Sequence, residues 1–136
     1  MKEILFICTH NSARSPMAEA IVNALNGASY KAYSAGTEPT SINPYVTAAM
    51  SEIGINISKQ KPKSINEFQG KRFEYVVTVC DKAKEACPFF PGEKVLHKNF
   101  ADPSEFEGTD EEILQQVRQV RDEIKGWIEE TFAHKR

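Results

Sequence analysis

The sequence places a cysteine and an arginine six residues apart, in CTHNSARS at residues 8–15. The apolar run EILFIC (3–8) leads into Cys8, and an amphipathic stretch follows Ser15. A loop between a strand and a helix N-terminus presents backbone N–H groups that lack helical partners, so such a loop binds anions. The planar guanidinium of Arg14 suits two oxygens of a tetrahedral oxyanion. The segment therefore predicts an oxyanion site above a thiol.

The same loop is expected to activate Cys8 as a nucleophile. Positive charge from the helix N-terminus and Arg14 would depress the pKa of the Cys8 thiol and favour the attacking thiolate. Ser15 can donate a hydrogen bond to the thiolate, and Asn11 can brace the loop through side-chain to backbone bonds. The alternative is a buried structural cysteine with Arg14 at an exposed helix start. The order of strand, cysteine, five residues, Arg-Ser and helix favours the functional interpretation.

The elements that position this loop alternate along the chain. Strands followed by helices indicate an α/β three-layer sandwich, in which a four-stranded parallel sheet carries helices on both faces. No linker or repeat interrupts the pattern, so residues 1–136 are expected to form a single domain. Periodicity and caps predict strands at 3–8, 29–34, 74–80 and 94–97, and helices at 14–26, 43–54, 64–69, 81–87 and 109–132.

Cys8 and Cys80 each end a predicted strand, and ligands of open parallel sheets bind beyond the carboxyl ends of the strands. Both thiols are therefore expected at one edge of the sheet. The third cysteine, Cys87, closes the sequence CDKAKEAC. An odd number of cysteines in a chain that starts MKEILFIC, with no signal-peptide cleavage site, argues against a static disulfide framework. Reduced structural thiols remain the alternative to reactive ones.

Composition excludes several functional classes. The chain of 136 residues has a net charge of −2 and no basic stripe, which argues against nucleic-acid binding. Its apolar runs are far shorter than a bilayer span, so no membrane contact is expected. The protein is expected to be cytoplasmic. The three histidines, His10, His97 and His134, do not have metal-ligand spacing, so no metal or other cofactor is expected.

The segment CTHNSARSPMAEA resembles the C-x5-R-S loop of the low-molecular-weight protein tyrosine phosphatase fold. The sequences SAG (34–36), VTVC (77–80) and DP (102–103) fall where that fold expects them. The resemblance implies that Cys8 is the nucleophile, Arg14 the oxyanion clamp, Ser15 the thiolate stabiliser and Asp102 the general acid; a turn aspartate is the alternative for Asp102. The implied oxyanion-binding set is Thr9, His10, Asn11, Ser12, Ala13, Arg14 and Ser15, with His10 at the rim.

The stretch VTVCDKAKEACP resembles the three-cysteine thioredoxin-coupled arsenate reductases, which share the phosphatase fold. The resemblance implies that Cys8 attacks arsenate, that Cys80 attacks the Cys8 sulfur as arsenite leaves, and that Cys87 then attacks Cys80. Thioredoxin would reduce the last disulfide by thiol exchange. Seven residues of helix span about 10.5 Å, whereas a disulfide tolerates Cα atoms only about 7 Å apart. A Cys80–Cys87 disulfide would therefore require segment 81–87 to unwind.

Two other functions remain open. A phosphatase acting on phosphate monoesters would need neither Cys80 nor Cys87, and a non-enzymatic thiol redox or arsenite sensor would need neither Arg14 nor Asp102. The implied partners are an arsenate or phosphate-like substrate and thioredoxin. The protein is expected to be a monomer. Some relatives hold a monovalent cation with residues equivalent to Asn11, Glu19 and Ser34. At the position where a further acidic ligand is expected, this sequence has Lys63, and its ammonium would occupy the cation's place.

Overall fold

The computed structural model describes residues 2–80 and 92–132. Within these ranges the strands form one parallel sheet in the order β2-β1-β3-β4, and every bound lies within about two residues of the one predicted from sequence. The strands are Lys2–Cys8 (β1), Tyr30–Gly36 (β2), Phe73–Thr78 (β3) and Gly92–His97 (β4). The α-helices are Arg14–Leu25 (α1), Pro44–Glu52 (α2) and Asp110–Phe132 (α3), and shorter 3₁₀ helices are Ile65–Phe68 and Pro103–Glu105.

The sheet is covered on both faces. Tyr30 and Tyr33 are an odd number of residues apart in β2, so their side chains lie on opposite faces. The Tyr30 ring meets Phe132 of α3 at a centroid distance of 5.4 Å, and the Tyr33 ring meets Phe68 of the first 3₁₀ helix at 5.7 Å. The sandwich with a four-stranded parallel sheet, predicted from alternating strands and helices, is confirmed.

The central strand explains the unbroken apolar run near the N-terminus. Residues 4–7 of β1 are completely buried, because β1 pairs with β2 on one side and with β3 on the other while both of its faces are covered. Helices α1 and α2 both pack against α3, whose buried stripe includes Val117, Val120, Ile124 and Ile128. No helix in the described part of the chain is both long and apolar enough to cross a membrane.

Local signals set the element ends that position the site. The Asn43 side chain accepts from the Tyr45 N–H at 2.8 Å and caps α2, as the sequence Asn-Pro predicts. Strand β3 ends at Thr78, so Cys80 lies two residues beyond the strand rather than at its end. The chain nevertheless stays beside β1 through Val79, whose N–H donates to the Ile7 carbonyl at 2.9 Å. The helix predicted at 81–87 lies outside the described residues.

Candidate active site

Segment 37–43, which follows β2, holds the outer side of the loop between β1 and α1. In a trans peptide the N–H and the preceding carbonyl point in opposite directions. Because the loop carbonyls point outward to segment 37–43, the N–H groups of Thr9, His10, Asn11 and Ala13 point inward. Four N–H groups make these bonds: Thr37 to Cys8 O at 3.2 Å, Glu38 to Thr9 O at 2.7 Å, Thr40 to His10 O at 3.0 Å and Asn43 to Ser12 O at 2.9 Å. The loop thereby has inward N–H groups, an arrangement that suits an anion.

Gly36 allows β2 to come this close to the loop. A Cβ at Gly36 would lie 2.6 Å from the Thr9 carbonyl oxygen and 2.9 Å from the Asn11 nitrogen, closer than side chains tolerate. The close approach requires glycine at this position, which gives a physical reason for the SAG sequence that ends β2.

Asn11 locks the loop from within. Its backbone is left-handed, with φ at 52°, a conformation that asparagine tolerates better than most residues, and its N–H points at Cys8 Sγ at 3.2 Å. Its amide donates to Ser15 Oγ at 2.9 Å and to Ser34 Oγ at 3.0 Å, and accepts from the Lys63 N–H at 2.8 Å. The bracing predicted for Asn11 thus uses two side-chain partners and one backbone partner.

Cys8 lies at the base of the loop, and the residue is 2% exposed. Ser15 Oγ is 2.8 Å from Cys8 Sγ, and because it already accepts from Asn11, its hydroxyl hydrogen is available to the sulfur. Burial is the largest influence and raises the pKa of the Cys8 thiol, although the bonds from Ser15 and Asn11 and the charge of Arg14 lower it. The expectation of a depressed pKa is therefore wrong, because desolvation of the sulfur outweighs the positive field of the loop.

Arg14 begins α1 and is held by the segment that follows β4. Its Nη1 donates to the Phe100 carbonyl at 3.0 Å, and its Nη2 lies 3.4 Å from Asp102 Oδ2. The other carboxylate oxygen of Asp102 accepts from Ser104 N–H and Oγ, at 3.0 and 2.9 Å, and caps the second 3₁₀ helix. Asp102 therefore has the turn role that the sequence offered as the alternative, and its other oxygen faces Arg14. Its role as general acid stays a prediction.

A cavity of about 440 Å³ opens above the loop. Its lining includes Thr9, His10, Arg14 and Asp102. Cys80, far away in sequence, lines the same cavity, with its Sγ 3.4 Å from Thr9 Oγ1. The cavity lies where β1 has β2 on one side and β3 on the other, the topological switch point at which open sheets bind ligands.

His10 lines the cavity and is half-buried, and its place at the rim of an oxyanion site stays a prediction. Its Nδ1 lies 2.9 Å from the Glu38 carbonyl, and since a carbonyl only accepts, Nδ1 carries the hydrogen. Ser12 and Ala13 contribute backbone: the Ser12 carbonyl is tied outward, and Ala13 is the residue before α1, with a side chain that cannot cap the helix. The first N–H groups of α1 therefore have no side-chain cap and face the loop.

A second polar cluster supports the loop from below. Ser34 Oγ donates to Glu19 Oε1 at 2.5 Å, and Lys63 Nζ lies 4.0 Å from the same oxygen while donating to the Lys61 carbonyl at 3.1 Å. Burial raises the pKa of Glu19, whereas Ser34 and Lys63 lower it. A lysine ammonium therefore lies beside Glu19. Among residues 2–80 and 92–132, no group of three or more His, Cys, Asp or Glu side chains could hold a metal ion.

Some functional groups have no counterpart in the sequence analysis. The carbonyl of Phe100, the N–H groups of segment 37–43 and the N–H of Lys63 all act through the backbone, which residue types do not reveal. The SAG sequence was the available signal for the close approach at Gly36. Cys87 lies outside the described residues, so its position relative to Cys80 stays a prediction.

Nearly the whole chain matches known proteins. Residues 3–135 match the family described as low molecular weight phosphotyrosine protein phosphatase. Curated arsenate reductases of Halalkalibacterium halodurans and Bacillus subtilis are 44% and 41% identical to it, covering 97% and 95% of this chain and 95% and 94% of their own. A solved structure described as an arsenate reductase in the phosphate binding state has a TM-score of 0.82 at 28% identity, over 98% of both chains. This chain therefore belongs to the low molecular weight phosphotyrosine protein phosphatase family.

Proposed function

We propose that this protein reduces arsenate to arsenite, using Cys8 as the nucleophile and Cys80 as the thiol that resolves it. The observation that carries the proposal is Cys80 itself, a buried thiol in the cavity above the oxyanion loop. Hydrolysis of a phosphate ester requires one thiol, whereas a two-electron reduction requires two. The similarity to curated arsenate reductases supports the same assignment.

In the first step the Cys8 thiolate attacks arsenic held in the loop. The inward N–H groups and the Arg14 guanidinium hold the arsenate oxygens, and the Ser15 hydroxyl stabilises the thiolate. The As–S bond forms as one As–O bond breaks, and Asp102 protonates the departing oxygen, which leaves as water. The Asp102 side chain is 22% exposed, so it is in contact with solvent.

In the second step the Cys80 thiolate attacks the Cys8 sulfur. The S–As electron pair passes to arsenic, which leaves as arsenite, and a Cys8–Cys80 disulfide forms. The overall balance is arsenic acid plus two thiols to arsenious acid, one disulfide and one water. Adjacent strands lie about 4.8 Å apart, within the roughly 4.4–6.8 Å that disulfide Cα atoms span. The bond from Val79 N–H to the Ile7 carbonyl keeps the chain before Cys80 beside β1, which supports the approach of the two sulfurs.

The third step would use Cys87 to regenerate the site. By thiol exchange, Cys87 attacks the Cys80 sulfur and Cys8 leaves as a thiolate. A reduced thioredoxin then reduces the Cys80–Cys87 disulfide and becomes oxidised. The sequence VTVCDKAKEACP and its resemblance to thioredoxin-coupled reductases support this step.

The experiment is arsenite production with a thioredoxin system, compared between wild type and Cys8→Ser, Cys80→Ser and Cys87→Ser. All three variants are expected to lose multiple turnover. Hydrolysis of p-nitrophenyl phosphate serves as the control for folding of the loop, and it should survive in Cys80→Ser and Cys87→Ser but not in Cys8→Ser. Full arsenite turnover in Cys80→Ser or Cys87→Ser would refute the reductase proposal.

Phosphate monoester hydrolysis is the second candidate. The pairing of Arg14 with Asp102 at 3.4 Å favours it, because an oxyanion clamp beside a general acid is also the equipment for hydrolysis. Arsenite production decides between the two, because p-nitrophenyl phosphate hydrolysis is expected under both functions, whereas a phosphatase would form no arsenite. A non-enzymatic thiol sensor is disfavoured, because it has no use for the clamp.

A further inference from the structure

The Phe100 carbonyl that holds Arg14 belongs to a wall between two cavities. Asn99 and Phe100 line the active-site cavity and also line a second cavity of about 310 Å³. Gly126 and Trp127 of α3 also line this second cavity. Any residue that fixes the wall from the second cavity therefore acts on the oxyanion site from behind.

Trp127 contacts this wall through an aromatic edge. The rings of Phe100 and Trp127 have centroids 6.3 Å apart and an interplanar angle of 79°, an edge-to-face arrangement that adds attraction to the apolar contact. Trp127 is itself held against Phe132, at 6.0 Å and 86°. Phe100 is 4% exposed, and its N–H donates to the Val79 carbonyl at 3.2 Å. Backbone and ring together fix where the Phe100 carbonyl points.

Arg14 depends on that carbonyl. The bond from Arg14 Nη1 to Phe100 O, at 3.0 Å, is buried, and the contact of the guanidinium with Asp102 is longer, at 3.4 Å. Removing the Trp127 ring would merge its volume with the second cavity and give the Phe100 ring room to move. The carbonyl would move with the ring, and the guanidinium would lose its shorter partner.

We propose that Trp127 is a positioning residue for oxyanion binding, because its ring packs Phe100 so that the Phe100 carbonyl holds Arg14 over the loop. Trp127 is only partly buried, whereas Ile124 and Ile128 on the same helix are completely buried and carry the core packing of that turn. The inference rests on the oxyanion site of the proposed function but not on the reduction of arsenate.

The experiment measures the dissociation constant of inorganic phosphate by calorimetry, together with the melting temperature. Trp127→Ala is expected to weaken phosphate binding about tenfold, as when a hydrogen bond to a charged group is lost. Trp127→Phe keeps an aromatic edge and should bind within about twofold of wild type. Trp127→Leu serves if the alanine variant does not fold, and is expected to lose affinity in the same direction. Ile124→Ala is the matched core control, with a lower melting temperature and unchanged phosphate affinity.

A double-mutant cycle with Arg14→Lys separates positioning from general destabilisation. Lysine has no guanidinium fork to be held by the carbonyl, so Trp127→Ala should cause no further loss of affinity in that background. An equal loss in both backgrounds overturns the inference, as does phosphate binding in Trp127→Ala equal to wild type. If wild type itself bound no phosphate, the proposed oxyanion site would fail as well. If wild type bound phosphate and Trp127→Ala bound it equally, only the inference about Trp127 would fail.

Discussion

Replacing Asn11 with alanine tests how the oxyanion loop is held together. The substitution removes three hydrogen bonds from a side chain that is 1% exposed. Ser15 and Ser34 keep a second partner, so each lost bond costs about 0.5–1.5 kcal/mol, whereas the Lys63 N–H loses its acceptor at a cost of about 1–3 kcal/mol. Alanine at a φ of 52° adds about 1 kcal/mol.

These terms amount to about 5 kcal/mol, a large part of the roughly 5–15 kcal/mol by which proteins of this size are stable. The assay is urea unfolding followed through the fluorescence of Trp127, the only tryptophan of the chain. Asn11→Gly loses the same three bonds but accepts the positive φ, so it should be about 1 kcal/mol more stable than Asn11→Ala.

The exposed Asn66 provides the matched control, since its replacement by alanine should change the free energy of unfolding by no more than about 0.5 kcal/mol. A loss below about 1 kcal/mol in Asn11→Ala would show that the network does not stabilise the loop. Asn11→Gly less stable than Asn11→Ala would refute the assigned backbone conformation.

Three further predictions concern the thiol, the surface charges and the close approach of β2. Ser15→Ala removes a bond that lowers the pKa of Cys8, so iodoacetamide alkylation should shift to higher pH in a variant whose other cysteines are serine; an unchanged profile contradicts this. Bonds from Arg118 hold the pKa of Glu52 below its ordinary value, so the stabilisation they give exists above about pH 4.3 and disappears as acid protonates the carboxylate. The difference in melting temperature between wild type and Glu52→Gln should therefore shrink as the pH falls from 7 to 3. A constant difference would contradict this prediction. Gly36→Ala, whose Cβ meets a loop carbonyl at 2.6 Å, should cost about 1–3 kcal/mol of stability and weaken phosphate binding; wild-type values in both would rule out the assigned contact.

Sequence reasoning succeeds where neighbouring residues decide the structure. The buried strand before Cys8, the helix that starts at Arg14 and the cap at Asn43 are all written in local patterns of residue type. The parallel sheet follows from the alternation of such elements, because parallel strands need crossover connections. The switch-point rule then places the cavity at the carboxyl ends of β1 and β3.

The rest depends on distant backbone and on burial. The pKa of Cys8 was predicted with the wrong sign, because the sequence shows the arginine but not how completely the sulfur is removed from water. The strand predicted to end at Cys80 ends at Thr78, since its partner β4 pairs only as far as His97. The carbonyl of Phe100 leaves no trace in residue type, because every residue carries one.

A single turnover of Cys87→Ser shows whether Cys80 resolves Cys8 during reduction of arsenate. The reduced variant is mixed with arsenate without thioredoxin, arsenite is quantified, and the thiols are mapped by alkylation and peptide mass spectrometry. About one arsenite per chain is expected, since two thiols supply two electrons, together with a peptide pair joined through Cys8 and Cys80. Release of arsenite with both cysteines still open to alkylation, or no arsenite at all, would contradict it.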